Sequence, residues 1–270
     1  MTDFGTGDGD VGVMKGVIAG ILPEAHIIDI THDVAPQRVA SGAWILDSAY
    51  RYFPTGAVFV CVVDPGVGSA RRAIALHAGE WYFVGPDNGL FSYVLAEQPV
   101  HRAVLLSNSM YHLQQVSSTF HGRDIFAPVG AHLARSMGTE LPDMGATIDP
   151  ATLLRLDIAP PVRKGAAIEA HILHVDRFGN LITNVPLALV PDLFDLPQVK
   201  ALFPATGRVV QQRRHFFAES GNGSESGEGG LPFIYGDSSG YVGIAVQNGS
   251  AAQVLGAGYG ASITFVMYTR

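Results

Sequence analysis

The sequence predicts an α/β N-terminal domain with a largely parallel sheet, followed by a smaller all-β C-terminal domain. Three observations support this fold class. Helix-like and strand-like segments alternate in the first half of the chain, and the run 58–63 is apolar and rich in β-branched residues, as in a strand buried on both faces. Short strand-like segments take over after the Pro-Pro pair at 160–161. We therefore assign the α/β domain to residues 1–157, a linker to 158–165 and the β domain to 166–270.

The elements of the N-terminal domain follow from local patterns. Apolar residues at helical spacing predict a first helix over 11–22, which stops before Pro23, and the run His26 to Ile30 predicts a short strand. The remaining predicted elements are a helix over about 39–52, strands over 58–63, 73–76 and 81–84, and a helix over 125–137. In a parallel sheet, ligands bind beyond the carboxyl ends of the strands, so the loops at those ends are the first places to look for a site.

The C-terminal domain has the pattern of a small β structure. Short apolar and β-branched runs predict strands over 166–175, 180–184, 208–217, 241–246 and 262–268. Between them, the segment 221–230 consists mainly of Gly, Ser and Glu, which is typical of a mobile surface loop.

Composition narrows the class of protein. The chain has 270 residues, a formal net charge of -7 and no run of Lys or Arg, which argues against duplex nucleic acid and anionic membrane as partners. Apolar stretches are too short to span a bilayer, and no secretory signal is recognisable at the N-terminus. The single cysteine, Cys61, excludes an internal disulfide and lies in an apolar run, so we expect a buried thiol in a cytoplasmic protein.

Several loop segments combine turn residues with groups capable of chemistry. They are TDFG at 2–5 with nearby Asp8, DPGVGSAR at 64–71, GPDNG at 85–89, TFHGRD at 119–124, DRFGN at 176–180 and SSGY at 238–241. Each taken alone is explained as well by a turn or a helix cap. Together they bring carboxylates, an arginine and a histidine to loops expected at one edge of the sheet, without the ligand spacing of a zinc site or a nucleophile elbow. The residues alone indicate an acid/base or polar-ligand site on an α/β enzyme.

These segments, with VGVMKG at 11–16 and RFGNLITN at 177–184, together resemble the S-adenosylmethionine hydroxide adenosyltransferase family, which is related to the fluorinases and chlorinases. The resemblance covers nearly the whole chain. It implies hydrolysis of S-adenosylmethionine to adenosine and methionine, by in-line attack of water or hydroxide at the ribose 5′ carbon, without a metal or cofactor. It also implies a homotrimer, with each substrate site between one subunit's N-terminal domain and its neighbour's C-terminal domain.

The resemblance also assigns roles to individual residues. It implies a catalytic triad of Asp64, Arg71 and His121, in which the arginine charge stabilises a developing hydroxide. The implied substrate contacts are Asp3 at the ribose diol, Asp8 and Asp176 near the methionine ammonium, Ser238 near its carboxylate, Phe178 and Asn180 on the adenine side, and Val246 and Asn248 at the adenine through backbone groups. Which group finally accepts the proton of water stays open.

Three positions bear on the choice between water and halide. In the halogenases, the positions of Gln37, Asp64 and Gly122 carry an aromatic residue, a tyrosine and, in fluorinase, a serine. A carboxylate at position 64 repels a halide, so we expect a hydrolase. A halide-using enzyme and a trimer that binds S-adenosylmethionine or adenosine without turnover are the alternatives.

The N-terminus departs from the family pattern. Family members usually have a full strand before the TDFG motif, whereas this chain begins at Met1-Thr2-Asp3. We therefore expect the first strand of the sheet to be nearly missing and Asp3 to be held more loosely.

Overall fold

The computed structural model describes residues 1–217 and 230–268. The chain divides into two compact units, Met1–Asp157 and Ile158–Arg270. The predicted glycine-rich loop at 221–230 lies outside the described residues, except for Gly230. None of the described helices has the length and apolar character needed to cross a lipid bilayer.

The first unit contains a four-stranded sheet with helices packed on both faces. Its helices are α1 (Asp10–Ile21), α2 (Val39–Tyr50), α3 (Ser92–Glu97) and α4 (Ala127–Arg135), and its strands are β1 (Val58–Val60), β2 (Ala73–Ala78), β3 (Trp81–Pro86) and β4 (Val100–Leu105). A π-helical turn, Gly122–Phe126, leads directly into α4. The predicted helices at 11–22 and 39–52 are confirmed to within two residues at each end, whereas α3 and β4 were not predicted.

The sheet of the first unit is mixed, so the prediction of a largely parallel sheet is not confirmed. The strand order is β1-β3-β2-β4; only the β1–β3 pairing is parallel, and β2 pairs antiparallel with both β3 and β4. The reason lies in the connection between β2 and β3. Only Gly79 and Glu80 separate the two strands, and so short a loop produces a hairpin and cannot make a parallel crossover.

Both faces of this sheet are buried. Along β2, Ile74 and Leu76 point into a core shared with α2 and α3, whereas Ala75 points into a second core shared with α1 and α4. All three side chains are at most 1% exposed. The continuous apolar pattern therefore reports burial on both faces correctly, although it does not report strand direction.

The predicted strand at 26–30 is wrong. These residues form no strand, and Ile28 is more than half exposed. A strand needs a ladder partner, and the nearby backbone hydrogen bonds lie just beyond this run, from Thr2 to the Thr31 carbonyl and from Gly5 to the His32 carbonyl.

The backbone of Met1 and Thr2 pairs with β1 and the residues that follow it. The Met1 amine donates to the Val60 carbonyl at 2.9 Å, the Val62 amide donates to the Met1 carbonyl, and Thr2 forms a parallel bridge with Val62. Met1 and Thr2 are both buried. This pairing fixes the direction in which the chain enters the segment that carries Asp3.

The second unit is built around one long, nearly closed sheet. Its strands are β5 (Val162–Lys164), β6 (Ala167–Val175), β7 (Leu181–Pro186), β8 (Gln198–Phe203), β9 (Arg208–Val210), β10 (Gln212–Arg213), β11 (Phe233–Gly236), β12 (Tyr241–Ala245) and β13 (Ser262–Tyr268). The order is β10-β11-β12-β7-β6-β13-β8-β9, with β5 added beside β6. A short helix, α5 (Ala251–Leu255), packs against its core.

Two expectations for the second unit need correction. The predicted strand 208–217 is broken at Gln211, because the chain passes there from β9 at one end of the sheet to β10 at the other end. This crossing brings the two ends of the sheet order together and nearly closes it. Residues 162–164, expected within a linker, form β5 and pair antiparallel with β6.

Candidate active site

A buried ion pair forms the centre of the candidate site in the first unit. Asp64 follows the buried run that continues β1, and Arg71 precedes β2. The Arg71 Nε donates to both carboxylate oxygens of Asp64 at 3.1 and 2.9 Å, and Nη2 donates to Oδ2 at 2.5 Å. Their side chains are 10% and 4% exposed, so this is a desolvated, bidentate pair with a fixed geometry.

His121 completes the centre from a different segment of the chain. Its Nδ1 lies 2.7 Å from Arg71 Nη2. Burial and the neighbouring Arg71 cation hold the pKa of His121 below its ordinary value, so the imidazole is neutral at pH 7. The guanidinium also lies over the ring of Phe126, 5.2 Å from its centroid. The predicted triad of Asp64, Arg71 and His121 is therefore a single hydrogen-bonded group, with the arginine in the middle.

The loop 64–71 is shaped by its own hydrogen bonds and by close contact with the segment before His121. The Ser69 hydroxyl donates to the Gly66 carbonyl at 2.7 Å and accepts from the Arg71 amide at 3.2 Å. Gly68 has φ +76°, and a Cβ there would lie 2.2 Å from the Ser118 carbonyl oxygen. Glycine at position 68 thus allows the two segments that carry the triad to touch.

The N-terminal segment packs beside this centre. Phe4 contacts Phe120 edge-to-face at 5.7 Å, and a Cβ at Gly122 would lie 3.3 Å from the Phe4 ring. One carboxylate oxygen of Asp3 accepts the Gln37 amide at 2.7 Å, and Gln37 has the left-handed φ of +61°. Asp3 is therefore held by a specific bond, contrary to the expectation that it would be loose.

Asp8 is not brought into this group. It is exposed, and no contact in the described part of the chain joins it to the triad or to Asp3. It lies in the glycine-rich turn before α1. Gly122, the residue after His121, lies close to Phe4, and Asp3 is bonded to Gln37, whereas Asp8 joins neither group.

The candidate residues of the second unit include a rigid turn at 176–180. The Asp176 carboxylate accepts from the Phe178 amide at 2.9 Å, the Asn180 amide at 2.8 Å and the Asn180 side chain at 2.8 Å. Asn180 is 5% exposed, whereas the Phe178 ring is 77% exposed. The turn presents an aromatic face on a framework built by one carboxylate.

A second turn lies between β11 and β12. Asp237 accepts from the Ser239 amide at 2.8 Å and from the Ser239 hydroxyl, and Ser238 beside it is exposed. Tyr235 donates to Asp237 at 3.4 Å. Burial, Asp237 and Asp176 together raise the pKa of Tyr235. The turn that carries Asp176 precedes Leu181, which pairs with Ile244, whereas the turn that carries Ser238 precedes Tyr241, which pairs with Pro186 at the other end of β7.

The last two predicted positions lie in the loop after β12. Val246 is 2% exposed and forms a bridge with Gly249, whereas Asn248 is exposed with φ +57°. The Val246 side chain belongs to the core, so the predicted contact at this position depends on its backbone.

The structure adds neighbours that the sequence reasoning did not single out. In the first unit these are Phe4, Phe120 and Phe126, whose rings contact each other or Arg71. In the second unit they are Tyr235 and Asp237, which are hydrogen-bonded to each other. The sequence contained one signal for Asp237, namely the Asp-Ser-Ser-Gly composition of the second turn. An aspartate at the start of such a turn accepts hydrogen bonds from the backbone amides that follow it.

A reactive thiol and a metal cluster are the other chemistries to consider in the described part of the chain. Cys61 is fully buried, and burial raises the pKa of its thiol to about 11. Within residues 1–217 and 230–268, no cluster of His, Cys, Asp and Glu has the arrangement of a metal site.

Fold and site define a class of protein with an α/β unit, a nearly closed β unit and a carboxylate–guanidinium–imidazole centre on loops of the α/β unit. Residues 1–145 match the model of the SAM hydroxide adenosyltransferase N-terminal domain, and residues 170–264 match that of its C-terminal domain. The chain belongs to the SAM hydroxide adenosyltransferase family.

Three comparisons give the range of similarity. An (R)-S-adenosyl-L-methionine hydrolase of Salinispora tropica is 43% identical, over 94% of this chain and 92% of the relative. A fluorinase of an Actinoplanes species is 28% identical, over 91% and 89%. A crystal structure of an uncharacterized conserved protein from Thermotoga maritima has a TM-score of 0.88 and 35% identity, covering 98% of both chains.

Proposed function

We infer that this protein is an enzyme that hydrolyses (R)-S-adenosyl-L-methionine to adenosine and L-methionine. The observation that carries this conclusion is the buried centre of Asp64, Arg71 and His121, in a chain that belongs to the hydroxide adenosyltransferase family. The 43% identity to a hydrolase, against 28% to a fluorinase, favours water as the nucleophile.

The reaction needs a positioned water more than it needs acid catalysis. Methionine leaves from a sulfonium as a neutral thioether, so the leaving group requires no proton. Arg71 Nε and Nη2 are engaged by Asp64 and His121, whereas Nη1 has no hydrogen-bond partner in the described part of the chain. We assign Nη1 to the attacking oxygen, where a fixed positive group stabilises a developing hydroxide.

Asp64 also selects against halide. Its carboxylate neutralises the guanidinium at a distance of 2.5 Å, so the centre carries no excess positive charge with which to attract an anion. Gly122 adds a steric reason, since a Cβ there would lie only 3.2 Å from Met14 Sδ. A serine at position 122, as the resemblance gives for fluorinase, would require that neighbour to move.

For the substrate, we propose that Asp3 uses its second carboxylate oxygen for the ribose diol, because the first accepts the Gln37 amide. Phe178 offers a stacking face for adenine, and the neighbouring Asn180 belongs to the same turn. Ser238 is exposed beside Asp237 and can donate to the methionine carboxylate. Asp8, Val246 and Asn248 keep the substrate contacts assigned to them by resemblance as part of the same proposal.

We also propose that the enzyme is a homotrimer whose sites combine the first unit of one subunit with the second unit of its neighbour. Complementation tests this arrangement. Asp64→Ala and Asp176→Ala chains are each expected to be inactive as homo-oligomers. Co-expressed in equal amounts, they would leave roughly a quarter of the sites intact. Activity that never exceeds that of the separate variants would contradict sites shared between subunits.

The test of the reaction itself uses ¹⁸O-labelled water. Incubation with (R)-S-adenosyl-L-methionine is expected to yield methionine and adenosine labelled at the 5′ oxygen. Unlabelled adenosine, or no adenosine, would refute the hydrolysis. Added chloride or fluoride is expected to give no 5′-halo-adenosine, and unreacted bound substrate after a day would instead support a binding protein.

Neighbouring arginines supply a matched control. Arg71 and Arg72 both pair with an aspartate, but only Arg71 contacts His121. We expect Arg71→Lys to abolish most of the labelled product and Arg72→Lys to retain it. Equal losses in the two variants would show that the activity does not depend specifically on the centre of Asp64, Arg71 and His121.

A further inference from the structure

Behind His121 lies a fully buried carboxylate that the proposed reaction does not use. Asp124 is 0% exposed and sits in the π-helical turn 122–126, a rare conformation that occurs frequently at functional sites. Its Oδ2 accepts the Ser117 amide at 2.8 Å, and the Phe120 amide donates to the Ser117 hydroxyl at 3.0 Å. Asp124 thus fixes the orientation of the Ser117 backbone immediately before the histidine.

The segment that Asp124 holds leads directly into His121, because Phe120, the residue before it, donates its amide to the Ser117 hydroxyl at 3.0 Å. Arginine has only donors, so the Nδ1 atom that faces Arg71 Nη2 at 2.7 Å must be the acceptor in that bond. The proton of the neutral ring is then on Nε2.

We propose that Asp124 is a positioning residue for the hydrolysis, acting through the segment 117–120 to place His121 so that Nδ1 of its neutral Nε2–H tautomer receives the Arg71 N–H. The proposal rests on the proposed function. In the other tautomer, Nδ1 would carry a hydrogen and would oppose the Arg71 donor. The Arg71 guanidinium would then lose its hydrogen bond to His121 and would be oriented by Asp64 alone.

The charges around this chain of contacts are balanced. Asp124 pairs with Arg123, with Nε to Oδ1 at 2.6 Å. Burial alone would raise the pKa of Asp124, but the hydrogen bonds from Arg123 and Ser117 outweigh it and lower that pKa. Asp124 is therefore ionised and acts as a fixed acceptor. The charged or titratable groups that influence His121 are Arg71, Asp64 and Asp124, and burial together with His121 lowers the pKa of His112.

The test reads the tautomer directly and separately from turnover. The full-length protein is labelled with ¹⁵N-histidine, and the His121 signals are assigned by their loss in His121→Gln. We expect a neutral ring with the hydrogen on Nε2 at pH 7.5. A ring with the hydrogen on Nδ1 in the unsubstituted protein would overturn the proposal, whether or not the protein hydrolyses S-adenosylmethionine.

Two substitutions of similar volume separate the hydrogen bond from packing. Asp124→Leu leaves the Ser117 amide without an acceptor, whereas Asp124→Asn retains an oxygen for it. For Asp124→Leu we expect loss of the single tautomer and a fall in kcat of roughly tenfold or more, with KM little changed. We expect Asp124→Asn and Arg123→Gln to keep the wild-type tautomer and most of kcat.

The variants exclude the competing explanations. A folded Asp124→Leu protein with unchanged tautomer and kcat would overturn the proposal, and so would an Asp124→Asn variant as impaired as Asp124→Leu. If Asp124→Leu does not fold, the tautomer of the unsubstituted protein and the Asp124→Asn result still decide the question. If neither the wild-type protein nor any variant shows turnover but His121 has the expected tautomer, the proposed function is refuted. The proposal that Asp124 positions His121 is then not refuted.

Discussion

Replacing Gly68 by alanine tests whether the two segments of the triad must touch. An added Cβ would lie 2.2 Å from the Ser118 carbonyl oxygen, against a practical minimum of 3.0 Å, so the segments must separate by about 0.8 Å. That separation acts on the 2.7 Å contact between Arg71 and His121. A misplacement of this size can cost about 100-fold in rate, and we expect kcat of Gly68→Ala to fall to that extent.

Gly56 supplies the matched control for this experiment. It also has a positive φ, +83°, but a Cβ there would meet nothing within 4 Å. Each alanine should cost about 1–2 kcal/mol of unfolding free energy for the left-handed backbone. Steady-state kinetics and urea unfolding of both variants give the answer. A folded Gly68→Ala enzyme with wild-type kcat, or an equal loss of kcat in Gly56→Ala, would refute the reasoning.

Three further predictions follow from buried groups. Asp64→Asn removes the counter-charge of buried Arg71 and should lower the free energy of unfolding by about 3 kcal/mol. Glu169→Gln removes the counter-charge of an exposed lysine and should change that free energy by less than about 1 kcal/mol. Urea titration compares the two variants, and equal effects would contradict burial as the cause. Because the pKa of native His121 is below 6.5, the unfolded chain takes up that proton first, so stability should fall as the pH drops below about 6.5. That fall should be shallower in His121→Asn, and an identical slope would exclude the contribution. Cys61 should resist a thiol reagent at pH 8 until the protein is unfolded, and rapid labelling of the native protein would contradict its burial.

The sequence predicted those parts of the fold that depend on burial. The run 58–63 indicated a buried segment, and the structure buries Phe59, Cys61 and Val63 in one core and Val62 in the other. Strand direction depends on the neighbouring segments, and the apolar pattern does not contain it. The two-residue turn before Trp81 decides it for β2 and β3. The run 26–30 failed for a related reason, because its composition favours a strand but no ladder partner lies beside it.

The candidate site was predictable to the extent that its members lie in recognisable segments. Asp64, Arg71 and His121 were identified through resemblance, and the structure joins them by hydrogen bonds, although nothing in the spacing of positions 71 and 121 implies contact. Asp124 could be read only as a helix cap. Its bond to Ser117 depends on a π-helical turn, which local sequence patterns do not distinguish from the start of an ordinary helix.

The turn at 176–180 changes how mutations at Asp176 should be interpreted. All three hydrogen bonds of this carboxylate hold the turn itself, so the exposed Phe178 ring is oriented before any ligand arrives. A ligand that stacks on the ring therefore does not have to order the turn, and the binding entropy is correspondingly less unfavourable. Substitution of Asp176 would weaken binding through that entropy even if the carboxylate never touches the ligand. A loss of affinity at this position measures preorganisation as well as contact, and calorimetry is needed to tell them apart.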